Sequence, residues 1–388
     1  MRFPAPALEG LTGPVGALQV LNLPLAEHQE RALLENGVRF SEASPARGWV
    51  ACRADAYFTT KTIQALLAEA SGEDFVVRIG GRSGGFANDI ALSAPEEPLL
   101  AWLSGGGEVT AERLAAARTI TLDPQEQFLE LPVPADQFGV SLIELPLTER
   151  LLLPCGHWLQ LLWTNILGMV PFLWRTLSGK NAAEAVVRIA WAALRAGSVR
   201  PERVISRLKR VSRSARIHPS AVVEASWLGD DVEIGANAVV RGCVLGDGAR
   251  VEELSVVEYS VLGPGACVQR QGMLKFSLAS SNASIGGVMQ LGVLCPGAAV
   301  KRGALMMDMA FGQQVRVQHR GGLTAAPLGL AGVCVGQGAL IGAGVQIAGG
   351  RAIPASVQIV ADANVLVRIP DPLPGVRLVI RNGTLEAL

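Results

Sequence analysis

The stretch LGDDVEIGANAVVRGCVLGDGARVEELSVVEYSVLGPGACV, from Leu228 to Val268, returns to a Leu-Gly pair every 17 residues. When the chain from Val211 onwards is written in rows of 17 residues, three columns hold only aliphatic or alanine side chains, at intervals of six, six and five residues. The columns are Val211, Leu228, Leu245, Leu262 and Ala279; Ile217, Ile234, Val251, Val268 and Ile285; and Val223, Val240, Val257, Leu274 and Leu291. So regular a pattern indicates a structural repeat.

This repeat predicts short strands rather than a helix. Gly, Asn, Asp and β-branched residues are frequent in it, and all of these are poor helix formers. Three short strands per row, joined by turns and stacked on the preceding row, place every column on the inside. Glycines at the turns are expected to supply positive φ angles. These glycines are Gly229, Gly235, Gly246, Gly248, Gly263 and Gly265.

The repeat resembles that of the hexapeptide-repeat proteins, whose fold is a left-handed parallel β-helix of triangular section. A second block has the same six-residue spacing, at Val335, Ile341, Ile347, Ile353 and Ile359. The resemblance predicts a β-helix over residues 211–370, followed by a C-terminal tail over 371–388, and it implies a homotrimer. The six-residue count lapses over 306–332, which predicts an insertion, and insertions from solenoid corners often build binding sites.

One column contains only charged residues and tests how the rows stack. Its members alternate in sign and are Glu224, Arg241, Glu258 and Lys275. Neighbouring strands lie about 4.8 Å apart, so a stacked column would pair each charge with an opposite one. The alternative is that these are solvated surface residues in an accidental order, since exposed pairs contribute little to stability.

Residues 1–146 predict an α/β domain, because apolar strand-like runs alternate with helical periods. That order favours a largely parallel sheet. Two segments, LNLPLAEHQERALLENGV at 21–38 and ADAYFTTKTIQALLAEA at 54–70, resemble parts of the sugar-phosphate nucleotidyltransferases. The resemblance implies that Asp55 ligates a catalytic Mg²⁺ and that the substrate is a nucleotide sugar or a sugar phosphate.

The opening of the chain departs from that family. Such enzymes hold the nucleotide phosphates with a Gly-rich loop and nearby cations, whereas no Arg or Lys occurs from Pro4 through Glu30. Without cations, charge on a transferring phosphoryl group has little to offset it. The front half is therefore interpreted as a divergent, truncated nucleotidyltransferase-like domain, and a turn or helix-capping role for Asp55 is an equal alternative.

Residues 147–210 are interpreted as a helical connector. Its segment 151–174 has 24 residues without a formal charge, a length and composition typical of a transmembrane helix. Polar residues such as His157, Gln160 and Asn165 would be costly in lipid, so a buried interdomain helix is favoured. WLQLLWTNILGMV resembles the helix that joins the two halves of the bifunctional N-acetylglucosamine-1-phosphate uridylyltransferases.

A basic run follows the connector. From Arg195 to Arg216 the chain carries eight basic residues and one acidic residue, Glu202. Such a run can bind phosphate, a nucleotide or acidic lipid headgroups, but it can equally be a solvated helix face.

The predicted insertion contains the best candidate for a catalytic base. Hexapeptide-repeat transferases usually employ a His towards an amine or hydroxyl, with the acyl-CoA in a groove between trimer subunits, so the resemblance implies acetyl-CoA as a donor. His319 is the one histidine in a plausible loop, and Arg316 and Arg320 beside it are candidate phosphate contacts. The alternative is that His319 is simply a hydrogen-bonded structural residue.

Composition limits the class of partner and the compartment. Lys plus Arg equals Asp plus Glu at 34 each, so the molecule has no net field to attract nucleic acid, and any charged partner must meet a local patch. The six cysteines are scattered and suggest neither a zinc site nor disulfides. The N-terminus lacks a continuous apolar core of the signal-peptide kind, which favours a cytoplasmic location.

Three hypotheses follow from the sequence. The first is an enzyme of sugar-nucleotide metabolism, with a trimerising β-helix and acyl transfer as a possible activity. The second is a non-catalytic pseudo-enzyme that the β-helix assembles into a trimeric scaffold. The third, a membrane-attached assembly protein, requires the connector to enter a bilayer.

Overall fold

The computed structural model describes residues 1–5, 8–39, 47–92, 98–132, 142–178, 182–197, 200–310, 313–361, 378–381 and 384–387. In chain order these residues form a front α/β domain, a helical connector and a three-sided β-solenoid. The predicted end of the solenoid beyond residue 361 lies outside the described residues. In the predicted tail, strands Leu378–Arg381 and Thr384–Ala387 form an antiparallel pair.

The front domain is built on one five-stranded sheet. Its strands, in chain order with those of three small pairs, are β1 Arg2–Phe3, β2 Gln19–Val20, β3 Leu23–Pro24, β4 Arg47–Arg53, β5 Ala56–Phe58, β6 Phe75–Ile79, β7 Leu100–Gly105, β8 Arg118–Leu122, β9 Gln127–Pro132, β10 Leu142–Leu147 and β11 Leu152–Pro154. The sheet order is β1-β4-β7-β6-β8, and the pairs β2/β3, β9/β10 and β5/β11 are antiparallel. The domain is thus α/β, as predicted.

The expectation of a largely parallel sheet is wrong. The central strand β7 runs antiparallel to both neighbours, and only β1/β4 and β6/β8 are parallel. The helix after β6, α3 at Gly81–Ile90, packs against the connector, with the Phe86 ring edge-on to Trp163 at 5.1 Å between centroids. Because β6 and β7 are antiparallel neighbours, the chain enters β7 at the edge of the sheet where β6 ends and needs no crossover. The mixed sheet does not establish a nucleotidyltransferase fold.

The other helices of the front domain are α1 Leu25–Leu34, α2 Thr60–Ala68 and α4 Ala111–Ala116, with a 3₁₀ turn at Val15–Ala17. Apolar residues of α1 and α2, such as Leu33, Ile63 and Leu66, pack against Val50 and Phe75 of the sheet and are fully shielded from water. The two helices coincide with the helical periods read from the sequence.

The connector consists of α5 Trp158–Ser178, α6 Ala182–Ala196 and α7 Pro201–Arg207. Helix α5 lies buried between the front domain and one face of the solenoid, where its Trp158, Leu162 and Ile166 share an apolar cluster with Val261 and Val293. Its polar residues find partners there, as the sequence predicts: Asn165 accepts a hydrogen bond from the Leu21 N–H and donates to the Leu161 carbonyl. Within the described residues, no helix combines the length and the apolar character needed to cross a membrane.

The solenoid has three parallel sheets and matches the predicted left-handed β-helix. The first sheet stacks eight strands: Arg210–Val211, Trp227–Leu228, Val244–Leu245, Val261–Leu262, Leu278–Ala279, Val293–Leu294, Cys334–Val335 and Ala352–Ile353. The second stacks eight: Arg216–Ile217, Glu233–Ile234, Arg250–Val251, Cys267–Val268, Ser284–Ile285, Ala299–Val300, Leu340–Ile341 and Gln358–Ile359. The third stacks seven: Val222–Glu224, Val239–Arg241, Val256–Glu258, Met273–Lys275, Val288–Gln290, Leu305–Met306 and Gln346–Ile347.

The three predicted columns form the solenoid core, with one correction. Leu274 stacks on Met289 and not on Leu291, which lies at a corner with φ of 52°. The row from Ala279 is two residues short because Gly286 and Gly287 replace a longer turn. A Cβ on Gly287 would lie 2.3 Å from the Ala304 carbonyl oxygen, so only glycine fits this tight corner.

The predicted positive φ angles occur at two of the six turn glycines. Gly248 and Gly265 have the expected positive φ angles, of 66° and 67°. Others, including Gly229, Gly246 and Gly263, are needed because the next coil passes close by. A Cβ on Gly263 would lie 2.6 Å from the Ser281 nitrogen. Packing between coils, rather than backbone angle, selects glycine at these positions.

The predicted charge ladder is confirmed. Glu224, Arg241, Glu258 and Lys275 are aligned on consecutive coils of the third sheet. Arg241 lies 2.9 Å from the Glu224 carboxylate and 3.1 Å from that of Glu258, whose other oxygen lies 2.9 Å from Lys275. All six cysteines are buried and free, which agrees with the reading that they form no disulfide framework.

The insertion leaves the solenoid after Met306, which still belongs to a stacked strand. Its described part contains an antiparallel hairpin of Arg316–His319 and Gly322–Ala325, called here the insertion hairpin, and a 3₁₀ turn at Pro327–Gly329. Buried residues Val315, Val317 and Ala326 anchor this segment in the cluster around α5. The hairpin therefore reaches away from the solenoid and towards the front domain.

Candidate active site between the front domain and the insertion hairpin

A cavity of about 510 Å³ lies where the front domain meets the insertion hairpin. The ends of β1 and β4, parts of β6, α3 and α4, the start of α5 and the tip of the hairpin form its wall. A volume of this size is typical of small-molecule sites. Three arginines line it, Arg53, Arg78 and Arg320, against the two carboxylates of Glu9 and Asp55.

Glu9 is the residue that ties these parts together. Its backbone N–H donates to the Gly156 carbonyl at 2.9 Å, and its carbonyl accepts from the Trp158 N–H at 3.1 Å, which fixes it against the start of α5. Its side chain accepts hydrogen bonds from the His319 ring at 2.7 Å and from the Arg320 N–H at 2.8 Å. Burial tends to raise the pKa of Glu9, but these hydrogen bonds outweigh it and lower the pKa.

The tip of the hairpin presents these two donors to Glu9. Arg320 and Gly321 both have positive φ, 48° and 78°, which is the geometry of a two-residue type I′ turn. Glycine adopts this region without strain, whereas an arginine does so at a cost. The hydrogen bond from the Arg320 N–H to the Glu9 carboxylate helps to hold the turn in place.

The hydrogen bond to Glu9 sets the tautomer of His319. A carboxylate only accepts hydrogen bonds, so Nδ1 carries the proton and Nε2 of the neutral ring carries a lone pair. The ring lines the cavity, and its Nε2 is shielded from solvent and has no hydrogen-bond partner among the residues that the structure describes. The arrangement is that of a general base oriented by a carboxylate.

His157, the residue before α5, plays a different role. Its Nδ1 accepts from the Leu159 N–H at 3.0 Å, so Nε2 carries the proton and donates to the Gln318 carbonyl at 3.0 Å. Burial lowers the pKa of His157 to about 4. His157 is therefore neutral, and its two hydrogen bonds hold the hairpin against the connector.

Glu9, His157 and His319 each offer one ligand atom within 4.8 Å of the others, a spacing at which a metal ion could be held. The hydrogen bonds argue against that use, because the Nε2 of His157 carries a proton and cannot donate a lone pair to an ion. The cluster is better explained as a hydrogen-bonded dyad with a structural neighbour.

Asp55 lies in the wall of the same cavity, beside this cluster. Arg53 holds both of its oxygens, with Nε at 2.6 Å from Oδ1 and Nη2 at 2.9 Å from Oδ2. The carboxylate is almost completely buried. A magnesium ion at Asp55 would have to displace Arg53 from at least one oxygen, and the predicted role as a metal ligand stays a prediction.

The two predicted phosphate contacts are separated by the structure. Arg320 lines the cavity, whereas the Arg316 guanidinium donates to the Leu323 carbonyl on the exposed side of the hairpin. The sequence reasoning identified His319, Arg320 and Asp55, which the fold brings into one cavity. It missed Glu9, because a glutamate in a Gly-rich and Pro-rich opening carries no motif that points to a distant histidine.

No family model matches the chain, and no curated protein matches it. Solved structures with a similar fold include a hexapeptide transferase family protein of Anaplasma phagocytophilum, 15% identical over 39% of this chain and 74% of that chain, with a TM-score of 0.19. The acetyltransferase domain of PglB from Neisseria gonorrhoeae is 15% identical over 74% of this chain and 96% of its own, with a TM-score of 0.15. Perosamine N-acetyltransferase of Caulobacter crescentus, solved with CoA and GDP-perosamine, is 13% identical over 74% and 93%, with a TM-score of 0.14. These likenesses are too distant to assign a function.

Proposed function

We propose that the protein is an acyltransferase that acts on a nucleotide sugar or sugar phosphate, with His319 as the general base. The observation that carries the proposal is the Glu9–His319 hydrogen bond of 2.7 Å in the wall of the cavity. With Nδ1–H bonded to Glu9, Nε2 of the neutral imidazole form can only accept a proton, as a base for an amine or hydroxyl must. General bases of this kind contribute about 10²-fold to 10⁴-fold to rate.

The proposed step is attack of a sugar amine or hydroxyl on the thioester carbonyl of acetyl-CoA. Nε2 of His319 takes the proton of the attacking group as the new carbon–nitrogen or carbon–oxygen bond forms. The Glu9 carboxylate stabilises the imidazolium that results. The carbon–sulfur bond then breaks, and the leaving thiolate receives the proton, which restores His319.

The charge of the cavity suits an anionic substrate. Its three arginines exceed its two carboxylates, and both carboxylates are already engaged, Asp55 by Arg53 and Glu9 by His319 and Arg320. Arg78, an exposed residue of β6, lines the cavity. Together with Arg320 it is a candidate phosphate contact. A phosphate or diphosphate is the group that such arginines bind best.

The cavity lies within one chain, unlike the groove between subunits that the family resemblance implies. The shielding of Nε2 requires the hairpin tip to move when a substrate enters. The same shielding, together with the Arg53–Asp55 pair, favours a second candidate, in which the cluster only fastens the hairpin and the protein is a scaffold. Turnover distinguishes the two.

We also propose that the protein is a homotrimer through the third face of the solenoid. One of the two outward columns of that sheet, beside the charge ladder, is apolar and partly exposed, whereas α5 covers the first face and the second is mostly polar. The column consists of Val222, Val239, Val256, Met273, Val288 and Leu305. A monomer mass by light scattering would contradict this part of the proposal.

The test is product formation from a panel of acyl-CoA donors and amino-sugar or sugar nucleotide acceptors, followed by mass spectrometry. CoA thioesters and GDP-linked amino sugars are sensible first probes. With a pair that reacts, His319→Gln is expected to lower kcat by at least about 10²-fold with little change in KM. Glu9→Gln is expected to lower kcat by a smaller factor, since it removes the orienting carboxylate and not the base.

His218→Gln is the matched control, because His218 is an exposed histidine on the solenoid whose Nδ1 contacts Ser220 and which lies outside the cavity. It should retain full activity. Full activity of His319→Gln would overturn the proposed base. A folded protein that turns over no donor and acceptor pair would favour the scaffold.

A further inference from the structure

Helix α6 exposes an apolar face to solvent. Its exposed positions recur with the spacing of one side of a helix, and every residue on that side is apolar up to the last turn. Val187 is 67% exposed and Leu194 is 72% exposed. These positions, called here the apolar face of α6, are Ala183, Val186, Val187, Ala190, Trp191 and Leu194. In a soluble helix such a stripe normally faces a core.

The opposite side of α6 already has its core contacts, so the exposed face is not a misplaced inner face. Ala192 is buried, and Ile189 and Ala193 pack against the cluster around α5. The neighbouring helices also expose apolar side chains, Trp174 near the end of α5 and Ile205 on α7. An exposed apolar face like that of α6 marks an interaction surface.

The basic run identified in the sequence begins at one end of this surface. Arg195 lies one turn after Trp191 on the same side of α6, and α7, which packs against α6, carries Arg203 and Arg207 at exposed positions. Further exposed basic residues follow before the solenoid, namely Lys209, Arg210 and Arg213. The patch is therefore apolar in the middle and positively charged at one edge.

We propose that the apolar face of α6 binds the surface of an anionic membrane, with α6 lying in the plane of the interface. Trp, Leu and Val on one face of a helix beside Arg and Lys are the features of interfacial helices, which insert their apolar side to the level of the headgroups. Each basic residue near the surface attracts anionic lipid.

Charge argues against a second copy of the chain as the occupant. A second copy would bring the same excess of positive charge, with only one acidic residue in its basic run, Glu202, to match the basic edge, whereas an anionic lipid surface complements that edge. The third face of the solenoid offers self-association a surface without that excess. The membrane proposal does not depend on the proposed acyl transfer.

The test is co-sedimentation of the full-length protein with vesicles of phosphatidylcholine mixed with phosphatidylglycerol, beside vesicles of phosphatidylcholine alone. We expect binding to the anionic vesicles that weakens as salt is raised, and little binding to the neutral ones. Leu194→Glu should weaken binding to anionic vesicles by at least about tenfold, because it places a carboxylate in the apolar face. Leu34→Glu is the control, since Leu34 on α1 is exposed to a similar degree and lies on the front domain.

Three outcomes would overturn the proposal. Absence of binding to anionic vesicles is one, and equal binding to both kinds of vesicle, which would leave the basic edge without a role, is another. The third is equal loss in Leu194→Glu and Leu34→Glu. A fall in the solution mass of Leu194→Glu, measured by light scattering without any vesicle binding, would assign the face to a second copy instead.

Discussion

His157 and His319 lie side by side, 5.7 Å between ring centroids, yet the structure gives them opposite tautomers. A backbone N–H at the start of α5 fixes the proton of His157 on Nε2, and the Glu9 carboxylate fixes that of His319 on Nδ1. Only in His319 is Nε2 left as a hydrogen-bond acceptor. A carboxylate 310 residues away in the sequence thus separates a candidate base from a structural histidine.

The buried state of His157 predicts a pH dependence of stability. Its folded pKa of about 4 lies below its ordinary value of 6.5, so between these values the unfolded chain binds a proton that the folded chain excludes. Stability should fall as the pH is lowered through this window, by about 3 kcal/mol in all from this residue. Denaturant titrations from pH 7 to pH 4 measure the slope.

The variant His157→Asn isolates this contribution. Asparagine can still accept the Leu159 N–H as a helix cap but does not titrate. We expect about 2 kcal/mol lower stability at pH 7 and a smaller slope below pH 6.5. Part of the slope should remain, because burial also lowers the pKa of His28. An unchanged slope would show that His157 accepts a proton in the folded protein.

The sequence could predict which residues belong to this site only where they lie in a recognisable segment. His319 and Arg320 stand in the lapse of a strict repeat, and Asp55 follows a strand. Glu9 depends on a tertiary contact between the chain opening, the connector and the insertion, and no local period records such a contact. The Arg53–Asp55 ion pair was likewise not predicted, although only one residue separates the two in the chain.

At the level of elements, the solenoid shows how strongly stacking constrains a corner. Gly287→Ala should destabilise the protein by about 2 to 4 kcal/mol, because the added Cβ would meet the Ala304 carbonyl oxygen at 2.3 Å. Gly85→Ala on the exposed side of α3 is the matched control. Beyond its own helix backbone and its chain neighbours, no atom of the described residues lies within 4 Å of its added Cβ, so it should stabilise by about 0.5 to 1 kcal/mol. Equal effects on the unfolding midpoint would refute the stacking explanation.

The charge ladder should contribute only modestly to the stability of the folded protein. Arg241 is a little under half exposed and pairs with Glu224 and Glu258, so Arg241→Ala is expected to cost up to about 1 kcal/mol, less at high salt. Arg250→Ala, at an exposed solenoid position outside the ladder, should cost less. A loss in Arg241→Ala that is unaffected by salt would show that its stem packing, rather than its charge, is responsible.

The stacking of the strands was predictable because the same aliphatic columns recur in every row of the repeat, so each row confirms the spacing of the row before it. The error at Leu291 arose where two glycines shortened a row, since a column count cannot detect a missing pair of residues until the strands are paired. In the front domain no such repetition exists. No local period records the direction of β7, and the contact of Phe86 on α3 with Trp163 on α5 joins residues far apart in the chain.

At the scale of the whole molecule, the connector and the insertion both join the front domain to the solenoid. Helix α5 covers one solenoid face, and the Asn22 side chain of the front domain donates to the Leu262 carbonyl of the solenoid at 2.8 Å. Both halves contribute to the cavity wall, the solenoid half through His319 and Arg320 of the insertion hairpin. We therefore expect ligand binding to require the intact chain.

The measurement that tests this account most directly is thermal unfolding with acetyl-CoA, sugar nucleotides and sugar phosphates, on the wild type and two variants of α3. Asn88→Trp places a large ring at a residue that lines the cavity, and Asp89→Trp places it at the next exposed residue, outside the cavity lining. A ligand at 100 times its Kd should stabilise the wild type and Asp89→Trp by about 2.7 kcal/mol, and Asn88→Trp far less. Stabilisation that is equal in both variants, or absent with every ligand, would contradict the claim that this cavity is the active site.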